Sequence, residues 1–284
     1  MIINRSFKEF KLQHRSKKNQ IIYSSKKVQS DKEVLNLIDN FLIEKNSFIF
    51  ESVEKGKIKG RYTIFGKNPD KIWEFNNNNS FLIKNNKKVK LKEKPQILIE
   101  NIIEDFKFKI PSSLPSIASL ISGYFSYDTI RYIENIPNKC KDDLKVPDVR
   151  LLRPRILVIH DNLKKKIFYI VNIFKDEKIS NYPKKYLGVK SELSKLFTQS
   201  LKAKDKTTNE KQLAKINVKS NTSKNKFLGM VNKAEKYIKI GDIFQVVLSQ
   251  RFETKLTKKP WDIYKKLRIT NPSPFMFFFN FKDF

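Results

Sequence analysis

Apolar positions along the chain recur with two periods, and each predicts a different kind of element. After Ser30-Asp31-Lys32-Glu33, Val34, Leu37, Ile38, Phe41 and Leu42 fall at helical spacing. The preceding tetrad fits a capping box, with a hydroxyl at the N-cap and a glutamate three residues on. This predicts an amphipathic helix to about Glu44. Residues 1–29 are polar with isolated apolar positions and read as strand and loop. Short β-branched or aromatic runs then follow at Ser47–Val53, Lys59–Phe65, Lys71–Phe75 and Phe81–Lys84. Turn signals at Glu54–Lys57, Gly66–Asp70 and Asn76–Asn79 separate them, and an Asn85-Asn86 turn leads into Lys87–Leu91. The spacing predicts an antiparallel meander.

Pro95 at a first helical position opens a helix over Gln96–Phe106. Ile117–Phe125 reads as a buried strand, and Asp128–Ile133 as a short helix. Arg155–His160 and Lys166–Phe174 read as a hairpin, and Ser191–Ser200 as helical. Residues 201–226 hold eight Lys and no aromatic residue, which marks a linker and a domain boundary. Phe227, Val231, Ala234 and Ile238 mark a further helix, ended by Gly241. Ile243–Glu253 reads as a strand buried on both faces. Pro260 opens a helix carrying Trp261, Tyr264 and Leu267. Asn271-Pro272-Ser273-Pro274 forces a turn, and Phe275–Phe281 is a strongly apolar strand. Such a strand calls for partners on both sides, so the chain reads as an N-terminal piece of something longer.

Composition narrows the function classes. The 284 residues carry 59 Lys+Arg against 29 Asp+Glu, a net charge of +30. That excess raises a nucleic-acid reading. Only nine residues are Arg, which leaves 59 − 9 = 50 Lys, spread through every segment. Base and phosphate recognition draws on Arg forks, so the charge reads as a Lys-rich surface. One cysteine, Cys140, excludes a disulfide framework, and with His14 and His160 it leaves no Cys- or His-based metal site. No apolar stretch approaches the roughly 20 residues of a membrane span, and no signal peptide is apparent. A soluble cytoplasmic protein is expected. No phosphate-binding glycine loop and no complete nucleophilic constellation occurs.

Four strings then carry a resemblance. Phe50-Glu51-Ser52-Val53-Glu54 with Gly60-Arg61-Tyr62-Thr63-Ile64-Phe65-Gly66 resembles the first segment of anthranilate synthase component I. Gly123-Tyr124-Phe125-Ser126-Tyr127-Asp128, followed by Arg131-Tyr132-Ile133-Glu134, is similar to a second. Tyr237–Phe252, reading YIKIGDIFQVVLSQRF, and Asn271-Pro272-Ser273-Pro274-Phe275-Met276 match a third and a fourth. The resemblance runs in order from about residue 46 to the last. Two departures stand out. Ala118–Ser122 replaces a glycine-rich entry, and Arg150, Arg153 and Arg155 follow Pro147-Asp148 where acidic residues are usual, a change that adds to the basic excess and is expected to alter a partner surface.

The resemblance implies an α+β fold, an antiparallel sheet sandwich with flanking helices. It divides the chain into an effector-binding half (1–200), a linker (201–226) and the truncated start of a chorismate-binding domain (227–284). It implies conversion of chorismate and ammonia to anthranilate and pyruvate with Mg²⁺, within tryptophan biosynthesis. The ammonia would come from a glutamine amidotransferase subunit, component II. L-tryptophan would inhibit by binding at Glu51, Ser52, Asn271, Pro274, Phe275 and Met276. Catalytic and metal ligands are expected beyond residue 284, which would leave this chain inactive alone. Aminodeoxychorismate synthase component I is the enzyme alternative, and a Lys-rich nucleic-acid-binding module the alternative from another class.

Overall fold

A computed structural model of the chain describes residues 2–30, 32–52, 60–138, 141–201 and 217–284. Cys140, Asp31, the Glu54–Lys57 turn and residues 202–216 of the expected linker lie outside the described residues. The chain divides into two compact units, residues 1–204 with 264–284, and residues 205–263.

The first unit begins with a helix where strand and loop were expected. Helix α1 (Phe7–Arg15) is capped by Ser6, whose Oγ accepts from the Glu9 N–H while the Glu9 carboxylate accepts from the Ser6 N–H. The signal is present in the sequence as Ser6-Phe7-Lys8-Glu9, masked by the polar residues around it. Strand β1 (Gln20–Lys27) follows. Helix α2 (Lys32–Phe41) buries Val34, Leu37, Ile38 and Phe41 as its period predicts. Its start differs from a regular capping box. Ser30 Oγ accepts from the Lys32 N–H at 3.2 Å, and Glu33 reaches back to the Gln29 N–H at 3.0 Å and pairs with Lys26.

The sheet is antiparallel, with the path β1-β8-β7-β3-β2-β11. Its strands are β2 (Ser47–Glu51), β3 (Tyr62–Asn76), β4 (Asn79–Lys84), β5 (Lys87–Lys90), β6 (Ser122–Phe125), β7 (Val149–Asp161), β8 (Lys166–Ile173) and β11 (Met276–Asn280). The two long strands, β3 and β7, correct the sequence reading. Gly66–Asp70 is not a turn between two strands. The strand runs through it with a register shift between Pro69 and Lys71, while Asn68 takes φ 51°. Proline lacks a ladder donor and asparagine tolerates the left-handed region, so the turn chemistry makes a bulge inside a continuing strand. Before the bulge β3 pairs with β2, and after it with β4, while β7 pairs with β8 and β6 at its two ends. The sheet therefore has two wings that share β3 and β7. The hairpins at Asn77-Asn78 and Asn85-Asn86 have positive φ throughout (48°, 61°, 50° and 60°), the backbone that two-residue hairpin turns need. The strand expected over Ile117–Phe125 is only β6, preceded by a 3-10 turn at Ser116–Ala118, and Tyr127–Tyr132 is also 3-10.

Alternation in β8 shows how the layers form. Phe168 and Ile170 join a core with Phe48, Leu152, Leu157 and Ile159. Tyr169, on the opposite face, packs its ring 6.1 Å from Phe197 on helix α4 (Tyr182–Leu201) and hydrogen-bonds Ser200. Helix α3 (Pro95–Asp105) places Ile102 against Trp73, Phe75, Val149 and Leu151. Fully burying such side chains stabilises by about 1.5–3 kcal/mol each.

The three arginines of β7 all pair with carboxylates of this chain. Arg150 pairs with Glu74 and Asp283, Arg153 with Asp70 and Asp176, and Arg155 with Glu177. Arg150 and Arg153 are buried. Burial raises the Asp176 pKa, but hydrogen bonds from Lys71 and Arg153 outweigh it and hold the carboxyl at about 2, below its ordinary 3.8. A depressed carboxyl stabilises the fold above its unfolded pKa and loses that contribution as pH falls through its folded one. Asp176→Asn is therefore expected to lower the denaturation midpoint at pH 7, with the gap to wild type closing between about pH 4 and 2. An unchanged gap at low pH would exclude Asp176 as the cause.

In the second unit, strand β9 (Val218–Ser220) pairs with β10 (Phe252–Thr254), and helix α5 (Lys224–Lys239) is capped by Ser223. Strand β9 and the start of α5 fall within residues 201–226. Gly241 takes φ +82° after α5, as predicted. The doubly buried strand over Ile243–Glu253 is not formed. Only residues 252–254 are extended and paired, and Phe244 and Val247 are 95% and 81% exposed. A strand buried on both faces needs neighbours, and no strand pairs with residues 243–251 among the described residues. Helix α6 (Pro260–Thr270) forms as predicted and carries the chain back into the first unit.

Candidate functional site

Strand β2 and the 264–276 segment bring the expected effector residues into one neighbourhood. Strand β11 pairs antiparallel with β2, so Met276 is the direct cross-strand partner of Glu51. Both are buried, at 6% and 3% exposure. Ser52 follows at the end of β2, and Gly60 lies against it. A Cβ on Gly60 would fall 1.7 Å from Ser52 Cβ and 1.8 Å from its Oγ, so only glycine permits this approach. The Gly60 carbonyl accepts from Asn162 Nδ2 at 2.8 Å.

Glu51 is not a free carboxylate. Tyr264 Oη donates to it at 2.7 Å, and Arg268 Nε at 2.9 and 3.1 Å to its two oxygens. Tyr264 and Arg268 stand four residues apart on α6, on one face. Burial and the nearby Glu51 charge push the Tyr264 phenol well above its usual 10, so it stays a donor. The Tyr264 ring packs 5.6 Å from Phe278. From the sequence, Tyr264 is expected on the helix opened by Pro260, with Trp261 and Leu267, and Arg268 has no assigned role. The i, i+4 spacing of a phenol and a guanidinium was the available signal, but it has no acidic partner within the helix to reveal its purpose.

The other expected residues are more open. The Asn271 N–H donates to the Leu267 carbonyl and ends α6, and its side chain is exposed. Pro274 is exposed and Phe275 is 87% exposed. The Phe275 N–H donates to Ser273 Oγ at 3.3 Å. The structure thus joins Glu51, Ser52 and Met276 closely, with Asn271, Pro274 and Phe275 on the loop that feeds β11. Among the described residues, no group of three or more His, Cys, Asp or Glu side chains could hold a metal ion. No catalytic step is assigned through a metal.

Residues 45–284 match the family described as chorismate binding enzyme. The chain belongs to the chorismate-binding enzyme family. Anthranilate synthase component 1 of Acetivibrio thermocellus is 34% identical over 269 residues, covering 92% of this chain and 54% of the relative. The protein of the same name from Cereibacter sphaeroides is 31% identical, covering 98% and 57%. In structure, this family member resembles anthranilate synthase component I from Streptococcus pneumoniae, with a TM-score of 0.66 at 27% identity, over 81% of this chain and 50% of that one. The large antiparallel sheet with flanking helices is thus that fold. The chain spans about half the length of the curated relatives it matches. Among the described residues, no helix is long and apolar enough to cross a membrane.

Proposed function

We propose that this chain is the effector-binding half of an anthranilate synthase component I. The whole enzyme would convert chorismate and ammonia to anthranilate and pyruvate, with Mg²⁺ ligands and catalytic residues carried by the part of the relatives that this chain does not match. A glutamine amidotransferase subunit would supply the ammonia. The observation that carries the reading is that relatives bearing this name match 92% and 98% of the chain, beside the chorismate-binding family match over residues 45–284. These names also favour it over aminodeoxychorismate synthase.

The chain's own part would be to bind L-tryptophan at Glu51, Ser52, Asn271, Pro274, Phe275 and Met276. Glu51 would hold the ligand's ammonium, and Pro274, Phe275 and Met276 would offer apolar, polarizable contact to an indole. A Cβ at Gly60 would collide with the Ser52 side chain, so Gly60 and Ser52 hold each other's backbone in place. Ser52→Arg is expected to weaken L-tryptophan binding by about tenfold or more in calorimetry. Unchanged affinity would remove Ser52 from the site. On this reading the +30 charge makes the surface soluble without serving nucleic acid. Retention on heparin with a steep loss in salt would point to the nucleic-acid reading instead.

A further inference from the structure

The carboxylate that the effector reading gives to a ligand's ammonium already has a cation on it. The Glu51 side chain is 1% exposed, and Arg268 Nε reaches both of its oxygens. A carboxylate offers about four acceptor positions. Tyr264 takes one, and Arg268 spans the two oxygens. A ligand ammonium cannot reach a carboxylate this enclosed unless one donor leaves.

The two donors are not equal. Tyr264 is 4% exposed and packs against Phe278, so moving it would open the core. The Arg268 side chain is 28% exposed and keeps contact with water. Its guanidinium can turn outward and be rehydrated. With no cation at all, Glu51 would be a buried, unpaired charge, which is costly. An internal guanidinium avoids that while the site is empty.

We propose that Arg268 is a built-in competitor for Glu51: an effector ammonium gains the carboxylate by displacing Arg268, which unfastens the last turns of α6 from β2. The proposal rests on the reading of Glu51 as part of the effector site. It deepens that reading, because it makes ligand binding and the attachment of α6 to β2 mutually exclusive. The Glu51–Met276 pairing puts the exchange at the point where α6 hands over to β11.

Calorimetry on the full 284-residue chain tests it, with L-tryptophan and with indole-3-propionate, which keeps the indole and carboxylate and lacks the ammonium. Arg268→Met is expected to bind L-tryptophan about tenfold more tightly, the scale of one charge-assisted contact no longer opposed. Its affinity for indole-3-propionate should not change, and Arg268→Lys should stay near wild type. Should Arg268→Met not fold, Arg268→Gln carries the same expectation with a neutral, hydrogen-bonding side chain. Wild-type binding with no gain in the neutral variants would overturn the competitor and leave the effector site standing. An equal gain for both ligands would also overturn it, since added space would then be the cause. No tryptophan binding by wild type or by any variant would overturn the effector reading as well.

Discussion

Given chorismate, Mg²⁺ and ammonium, the purified chain is expected to release no anthranilate above a protein-free control. Beside the catalytic residues proposed to lie in the unmatched part of the relatives, the second unit gives a reason of its own. Between residues 217 and 263 no residue is buried. Helix α5 buries none of its side chains, and Phe244, Val247 and Phe252 are 95%, 81% and 61% exposed. Catalysis of this kind depends on dipoles and charges fixed in a water-excluded site before the substrate arrives. A segment without an interior cannot hold them. The expected loss is the whole enzymatic acceleration, ~10⁶-fold or more. A fluorescence assay for anthranilate decides the matter, and turnover abolished by omitting chorismate or protein would refute the expectation. The same segment should exchange its amide hydrogens faster than β7 or β8, whose residues are almost all buried.

How much could be read from the sequence depended on how local the deciding physics was. Helix α2, helix α6, the paired-asparagine turns and Gly241 followed from neighbouring residues alone. Their stabilising contacts are i, i+4 packing, fixed φ values or caps. The continuous strand β3 did not follow, because Gly66-Lys67-Asn68-Pro69-Asp70 is turn chemistry by composition. It becomes a bulge only because β7 pairs with it on both sides of Pro69. Helix α1 was hidden for the opposite reason. Its cap is local, but its burial is tertiary, with Phe10 packed 5.5 Å from Tyr186 of α4. In the candidate site, the position of Glu51 was legible and its state was not. The two donors that occupy it lie more than 200 residues away. The same holds for Arg150, Arg153 and Arg155. They read as surface charges until Glu74, Asp70, Asp176 and Glu177 are placed around them.

Arg153 carries the largest expected effect on stability. Its Nε donates to Asp70 Oδ1 at 2.7 Å, and its Nη2 to Asp70 Oδ2 and to Asp176 at 3.0 and 3.3 Å. The guanidinium also lies 3.9 Å from the centroid of the Phe174 ring. Arg153 and Asp70 are 9% and 11% exposed, and Lys71 still pairs with Asp176. Arg153→Met therefore strands one enclosed carboxylate, that of Asp70. Removing one partner of a buried pair costs about 3–5 kcal/mol. For a fold of this size each kcal/mol is worth roughly 2–4 °C, so the thermal midpoint should fall by about 10 °C. The penalty belongs to the charge left behind more than to the bond lost. Arg153→Met combined with Asp70→Leu should thus recover at least half of the loss, because the replaced pair can be apolar at little net cost. Differential scanning calorimetry of the single and double variants reads both effects. A double variant as unstable as the single one would show that Arg153 acts through its packing on Phe174 and not through Asp70.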